Sequence, residues 1–119
     1  MRLLAVDDEA DVRMLLEVAL GMASDVDLTL AESGAQALEL AASTTYDAVV
    51  LDGLMPGMDG VEVCRRLRAD VRYRATPIVF LTALNESARD ELRAAGATGF
   101  VLKPFDPFTL AAQLKAFTG

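Results

Sequence analysis

Short apolar runs recur along the chain and alternate with segments whose apolar residues have helical spacing. The five runs cover residues 3–6, 26–31, 48–51, 78–81 and 99–102. Each run has the length of a β-strand. In the segment after the first run, Val12, Leu15 and Leu16 fall on one side of a helix, and similar spacing follows every later run. The pattern therefore predicts a strand followed by a helix, five times over.

Residues typical of helix termini flank several of these helical segments. Ser33 and Asp59 each precede a Gln or Glu by three residues, which is the spacing of a capping box. Asp106 is followed by Pro107, and proline favours the first helical position, so we expect the last helix to begin at Pro107. Gly96 stands where the fourth helix should stop, because glycine readily adopts the left-handed conformation that ends helices.

The alternation predicts an α/β fold with a parallel sheet, because parallel neighbouring strands need a crossover connection and helices supply it. The run at 48–51 is apolar at consecutive positions, which is typical of a central strand buried on both faces. The run at 26–31 alternates more, which favours an edge strand. We expect a doubly wound, flavodoxin-like sheet of five strands in the order 2-1-3-4-5, with a ligand crevice where the first and third strands end.

Composition narrows the class of protein further. The 119 residues fit one domain and no linker divides them, so we expect a single domain over residues 1–119 with no output domain. Lys and Arg number 11 against 18 Asp and Glu, and the net charge of −7 argues against direct nucleic-acid binding. No apolar run is long enough for a membrane span or a signal peptide. The single cysteine agrees with a reducing compartment, so we expect a cytoplasmic protein.

Polar side chains follow four of the five runs, at the points where the predicted strands end. In chain order they are Asp7, Asp8, Asp52, Thr82 and Lys103. The carboxyl ends of parallel strands meet at one edge of a sheet. We therefore expect three carboxylates, a hydroxyl and an ammonium group to converge there.

These groups together suit a particular chemistry. The chain has no histidine, so it lacks histidine metal ligands and the Ser-His-Asp or Cys-His pairs of many hydrolases. Three carboxylates form a hard oxygen site suited to Mg²⁺, and a carboxylate can itself accept a phosphoryl group. Lys103 and Thr82 would then bind phosphoryl oxygens through charge and hydrogen bonding. The residues by themselves predict a phosphoryl-transfer site.

Each of these residues also has a structural explanation when it is taken singly. Asp7 and Asp8 could cap the first helix, and Asp52 could open a turn. Thr82 and Lys103 could be ordinary loop and surface residues. That explanation needs independent coincidences at four strand ends, and Lys103 is one of only two lysines beside nine arginines. We therefore favour a shared site.

Four segments of the chain resemble the receiver domain of two-component response regulators. They are VDDE at 6–9, LDGLMPGMDG at 51–60, TA at 82–83 and KPF at 103–105. The resemblance implies that Asp52 accepts a phosphoryl group from the phosphohistidine of a histidine kinase or a phosphotransfer protein. It also implies that Mg²⁺, or Mn²⁺, binds to Asp8, Asp52 and the backbone carbonyl of Leu54, with Asp7 acting directly or through water.

The same resemblance implies roles for residues around the phosphoacceptor. Thr82 would sense the phosphoryl group through its hydroxyl, Lys103 would pair with its charge, and the peptide bond before Pro104 would be cis. The family pairs the hydroxyl with an aromatic residue three positions before the lysine, which is Phe100 here. Phenylalanine has no hydroxyl, so a switch at Phe100 would have to work by burial. Simple packing in the core remains the alternative.

Leu54 and Leu84 stand at positions that, in the family, flank the path of the water that attacks the aspartyl phosphate. Polar side chains can orient such a water, whereas leucine cannot. We therefore expect slow self-dephosphorylation. The alternative is that both leucines only cover the core.

The resemblance implies a switch that assists its own phosphorylation and dephosphorylation and is not an enzyme acting on a separate substrate. Its output face would comprise the fourth helix, fifth strand and fifth helix, and its partners would be the phosphodonor and an unknown downstream protein. No membrane partner is expected, and a phosphorylation-dependent homodimer is left open. A phosphatase of the haloacid dehalogenase type would need a second acid at Leu54, and a flavin carrier would need a phosphate loop where residues 7–9 are acidic. A receiver-like scaffold without phosphate turnover would not need the intact site.

Five of the nine arginines form a cluster near the end of the third predicted helix and just beyond it. They are Arg65, Arg66, Arg68, Arg72 and Arg74. Positive charge there complements the helix dipole, so we expect a solvated face. Cys64 falls in the apolar row of the same helix and is expected in the core.

Overall fold

The computed structural model describes residues 1–52, 59–82 and 86–118, and for 86–88 the backbone alone. The strands are β1 (Arg2–Val6), β2 (Asp27–Ala31), β3 (Ala48–Asp52), β4 (Ile78–Thr82) and β5 (Gly99–Leu102). The helices are α1 (Ala10–Gly21), α2 (Gly34–Ser43), α3 (Gly60–Ala69), α4 (Glu86–Ala94) and α5 (Leu110–Thr118), with a short 3-10 turn at Val71–Tyr73. The predicted alternation of strands and helices is confirmed.

The strands form one parallel sheet in the order β2-β1-β3-β4-β5, as predicted. β3 is buried along its whole length and lies in the centre, whereas β2 is partly exposed and lies at an edge. Val6 pairs with Leu51, and Thr82 pairs with Leu102. The register therefore brings the carboxyl ends of β1, β3, β4 and β5 to one edge, which we call the carboxyl edge.

Two apolar cores cover the two faces of the sheet, which confirms the doubly wound arrangement. Leu16 of α1 and Leu114 of α5 pack with alternate strand residues on one face. Residues of α2, α3 and α4, among them the fully buried Cys64, pack on the other face. Complete burial of a leucine stabilises the fold by roughly 2 kcal/mol. Among the described residues, no helix combines the length and apolar character needed to cross a bilayer.

The helix termini follow the predicted capping residues in part. Oγ of Ser33 accepts the N–H of Gln36 at 3.1 Å, and Oδ1 of Asp59 accepts the N–H of Glu62 at 2.9 Å. Gly96 follows α4 with a φ of +111°, a conformation that side chains with a Cβ rarely adopt. These local signals therefore correctly marked the ends of three helices.

The prediction that the last helix begins at Pro107 is wrong, because α5 begins at Leu110. Oδ1 of Asp106 accepts the N–H of Phe108 at 2.9 Å, which closes a turn instead of opening a helix. The helix starts only where the N–H of Leu110 reaches the Asp106 carbonyl oxygen, at 3.1 Å. The carboxylate of Asp106 therefore stabilises a turn that precedes the helix.

The expectation of a solvated basic face is wrong for Arg68. Its guanidinium donates to the carbonyl oxygens of Gly96, Tyr73 and Thr76 at 2.9, 2.6 and 2.7 Å, and to Oγ1 of Thr98 at 3.1 Å. The end of α3 is thereby tied to the loops that precede β4 and β5. The side chains of the other members of the basic cluster are exposed or partly exposed, as expected.

Candidate functional site

Two acidic residues lie side by side at the centre of the carboxyl edge. Val6 of β1 pairs with Leu51 of β3, so the residues that follow them, Asp7 and Asp52, are neighbours. Asp7 is fully buried and Asp52 is 5% exposed. The start of α3 packs closely on this point, because a Cβ at Gly60 would collide with the carbonyl oxygen of Asp52. Buried carboxylates are costly unless they are paired, so their partners decide what this edge can do.

Lys103 supplies a partner to both carboxylates from the end of β5. Its Nζ lies 3.2 Å from Oδ2 of Asp7 and 3.2 Å from Oδ1 of Asp52, and its side chain is 22% exposed. Partial burial opposes the charge of the ammonium, but the charges of Asp52 and Asp7 and hydrogen bonds to both outweigh it. The pKa of Lys103 is therefore raised above its ordinary value, and the side chain is a cation at neutral pH.

The polar atoms of Asp7 are engaged in a way that differs from helix capping. Oδ1 accepts the N–H of Glu9 at 2.9 Å, and Oδ2 accepts from Lys103. The backbone carbonyl accepts from Nη1 of Arg13 at 2.8 Å, and the backbone N–H donates to Ala31 at 3.1 Å. The N-cap residue of α1 is Glu9, and no side chain caps the helix. Asp7 therefore belongs to the carboxyl edge and not to the helix terminus.

A fourth acid joins the predicted three. One carboxylate oxygen from each of Asp7, Asp8, Glu9 and Asp52 lies within 4.8 Å of the others. Glu9 was not among the predicted site residues, although it directly follows Asp8 in the sequence. Asp8 and Glu9 are more exposed than Asp7 and Asp52, so the cluster has a buried base and an open mouth.

The acidic cluster fits the expected Mg²⁺. Its donors are carboxylate oxygens, which Mg²⁺ prefers over nitrogen or sulfur. Oxygen ligands on opposite sides of an Mg²⁺ octahedron are about 4.2 Å apart, because each bond is about 2.1 Å. Oxygens within 4.8 Å of one another can reach that geometry with small side-chain rotations. Two of these carboxylates already pair with Lys103, which leaves Asp8 and Glu9 at the open side.

Thr82 lies on β4, the strand next to Asp52, and Phe100 lies on β5, one strand further along the sheet. Thr82 is the last residue of β4, is 3% exposed, and accepts the N–H of Lys103 on its backbone carbonyl at 3.0 Å. Phe100 is half-buried against the core that faces α4. The guanidinium carbons of Arg89 and Arg93 lie 5.8 and 5.1 Å from the centre of the Phe100 ring, within reach of cation–π attraction. Sequence reasoning missed both arginines, although they are spaced four apart on α4.

Three predicted site residues remain, and only Pro104 lies among the described residues. Leu54 and Leu84 lie outside the described residues, so the roles assigned to them stay predictions. Pro104 follows Lys103 directly, and the peptide bond between the two is cis.

Comparisons with known proteins agree with the arrangement of this edge. A family model described as "Response regulator receiver domain" matches residues 3–115. The chain is 40% identical to the transcriptional regulatory protein ResD of Bacillus subtilis, over 97% of this chain and 47% of ResD. It is 42% identical to the response regulator PleD of Caulobacter vibrioides, over 98% of this chain and 26% of PleD. The solved structure of the chemotaxis protein CheY4 of Vibrio cholerae matches with a TM-score of 0.92 at 34% identity, over 98% of this chain and 97% of that one. The chain thus spans less than half of ResD and PleD but nearly all of CheY4.

Proposed function

Because this chain belongs to the family of response regulator receiver domains, we propose that Asp52 accepts a phosphoryl group from the phosphohistidine of a histidine kinase or phosphotransfer protein. Domains of this family act as phosphoacceptor switches in two-component signalling and are not enzymes in the usual sense. The observation that carries the proposal is the position of the Lys103 ammonium, 3.2 Å from both Asp52 and Asp7, the two buried members of an acidic cluster.

In the proposed reaction, a carboxylate oxygen of Asp52 attacks the phosphorus atom of the donor. The new O–P bond forms as the P–N bond breaks, and the electron pair of that bond stays on the imidazole nitrogen of the donor. Lys103 lies beside Asp52 and would pair with a phosphoryl oxygen as charge moves onto the new group. The hydroxyl of Thr82, at the end of the neighbouring strand, would donate to another oxygen.

The acidic cluster would hold the metal ion that the family uses. We propose Asp8, Asp52 and the carbonyl of Leu54 as ligands, with Asp7 acting directly or through water. Bound Mg²⁺ or Mn²⁺ would offset the negative charge of the incoming phosphoryl oxygens. Asp7 also pairs with Lys103 and accepts the N–H of Glu9, so it would orient the lysine as well as help to hold the ion.

The proposed output runs through the surface formed by α4, β5 and α5. Thr82 and Lys103 stand at the ends of β4 and β5, directly before the segments that lead into these helices. The ring of Phe100 on β5 packs against the core and lies under two arginines of α4, so a change in its burial would alter the contacts of that helix. A small shift between two states, biased by the new phosphoryl contacts, is the expected form of the change.

The proposal includes an unknown downstream protein as partner and excludes direct binding to nucleic acid or membrane, in keeping with the net charge of −7. Light scattering before and after phosphorylation tests for a homodimer that forms on phosphorylation. We also propose a cytoplasmic location and slow self-dephosphorylation, the latter from the two leucines at positions 54 and 84.

The test of the phosphoacceptor is incubation with acetyl phosphate and Mg²⁺, followed by intact-mass spectrometry. We expect one added phosphoryl group on the wild type and none on Asp52→Asn, because an amide is a poor nucleophile. Asp27→Asn is a matched control, since Asp27 is exposed on the edge strand β2. Equal modification of Asp52→Asn and the control would show that another residue accepts the group.

Two further measurements separate the remaining parts of the proposal. Beryllofluoride, which mimics a phosphoryl group, should shift the amide NMR signals only when Mg²⁺ is present. Hydrogen exchange should then change between residues 86 and 117 as well as around Asp52. A change confined to the surroundings of Asp52 would make the proposed output face wrong.

A further inference from the structure

Arg13 lies in the first turn of α1 and reaches back to the segment that carries the acidic residues. Its Nη1 donates a 2.8 Å hydrogen bond to the backbone carbonyl oxygen of Asp7. Its Nη2 lies 3.8 Å from Oε2 of Glu32, which stands between β2 and α2, and the Arg13 side chain is only 21% exposed. The guanidinium therefore bridges the loops that follow β1 and β2.

The hydrogen bond from Arg13 holds the peptide group that joins Asp7 to Asp8. The N–H of Asp7 is bound on its other side by the carbonyl oxygen of Ala31, at 3.1 Å. The backbone of Asp7 is thus held in both directions, between β2 and α1. Because the nitrogen of Asp8 belongs to the same peptide plane, the orientation of that plane decides how the two carboxylates face each other.

The positive charge of Arg13 could also weaken the binding of a divalent ion. Four carboxylates attract a divalent ion, and the positive charge of Arg13 repels it. If the hydrogen bond dominates, removal of Arg13 weakens ion binding. If the charge dominates, its removal strengthens ion binding, so the sign of the effect distinguishes the two.

We propose that Arg13 is a positioning residue for the divalent-cation site, which orients the carboxylates of Asp7 and Asp8 before the ion binds. The inference rests on the proposed function, since it takes the acidic cluster as the Mg²⁺ site. Groups that are oriented in advance need not be ordered on binding, and partners that orient metal ligands commonly affect metal affinity by about 10-fold or more. The planar guanidinium suits this task, because it can hold the carbonyl while it also pairs with Glu32.

The test is a titration of the full chain with Mg²⁺ alone, followed by amide NMR. We expect Arg13→Met to raise the apparent dissociation constant about 10-fold. Arg13→Lys keeps the charge but not the planar fork, so it should give an intermediate value. Arg2→Met is the matched control, because Arg2 is exposed at the opposite end of β1 and its replacement removes the same charge. In the metal-free protein, the amide of Glu9 should exchange faster in Arg13→Met than in the wild type.

Several outcomes would overturn the inference. An unchanged or lower dissociation constant in a folded Arg13→Met would mean that Arg13 does not orient the ligands. If Arg13→Met fails to fold, the Arg13→Lys variant replaces it. Wild-type affinity of Arg13→Lys for Mg²⁺ would then show that the guanidinium does not orient the ligands. A wild type without any response to Mg²⁺ would remove both this inference and the proposed metal site. If the wild type binds Mg²⁺ and the Arg13 variants bind it equally well, the inference about Arg13 is wrong and the proposed metal site stands.

Discussion

Polar side chains are engaged differently at the two ends of the strands. At the amino ends of β4 and β5, the guanidinium of Arg68 donates to four backbone carbonyls and a hydroxyl of the preceding loops. At the carboxyl edge, four carboxylates crowd together within 4.8 Å, and Lys103 pairs with Asp7 and Asp52. The amino end satisfies its polar groups and gains rigidity, whereas the carboxyl edge retains a surplus of negative charge.

The difference shows how one small sheet separates stability from binding. A cation among neutral carbonyl oxygens forms favourable hydrogen bonds at every contact. Carboxylates held close to one another repel, and that repulsion is relieved when a cation binds. Loss of a cation should therefore destabilise the fold at either end, whereas loss of a carboxylate from the acidic cluster should stabilise the metal-free fold, which the following experiments test.

The largest effect is expected at the amino end, for Arg68→Met. The change leaves the carbonyls of Tyr73, Thr76 and Gly96 without their charged donor, and water can replace it only in part. We expect the free energy of unfolding to fall by about 3 kcal/mol, measured by urea denaturation. Arg66→Met is the control, since its exposed pair with Glu62 should be worth no more than about 0.5 kcal/mol. Equal stability of the two variants would contradict the role of Arg68.

A smaller effect is expected for Lys103→Met at the carboxyl edge. In EDTA near pH 8, loss of the ammonium from Asp7 and Asp52 should lower the free energy of unfolding by about 2 kcal/mol, since the pair is only partly exposed. The pKa of Lys103 is raised from 10.5 in the fold, so its stabilising effect is complete below that value. The effect is lost as the pH rises through the higher, folded value.

The stability gap between wild type and Lys103→Met should therefore narrow at pH values above 10.5. Urea denaturation of both proteins across this range measures the gap directly, and other alkaline effects cancel because they are common to both. A gap that stayed constant would mean that the lysine stabilises the edge through packing and not through charge.

The smallest effect, and the one of opposite sign, is expected for Asp8→Asn. Two unit charges 4.8 Å apart repel by roughly 1 kcal/mol in water, so the metal-free variant should be more stable than the wild type by about that amount. In Mg²⁺ the order should reverse, because the wild type alone would gain stability from the bound ion. Asp27→Asn, with an exposed carboxylate outside the cluster, is the control. If Asp8→Asn were less stable than the wild type in EDTA, repulsion between the carboxylates would not destabilise the metal-free protein.

Much of the carboxyl edge was predictable because the positions of its residues follow from where the strands end. Asp7, Asp52, Thr82 and Lys103 follow or end apolar runs, and the parallel order of the sheet brings such positions together whatever the side-chain packing. The sequence did not reveal which atoms pair. Lys103 contacts both Asp52 and Asp7 because its side chain crosses the end of β4. These partners are 51 and 96 positions away from it in the chain.

The pattern of apolar residues determined the strands and the helices, because periodicity is a local property that each segment carries by itself. The order of the sheet was predicted from the doubly wound class that the alternation of strands and helices indicates. Tertiary structure alone decided the partners of Arg68 and Arg13. Both are arginines on helices and look alike in the sequence, yet one closes the amino end and the other reaches a carbonyl beside the acidic cluster. Their partners are fixed by the space left between packed elements, because a long side chain binds whichever unpaired oxygens the surrounding loops present to it.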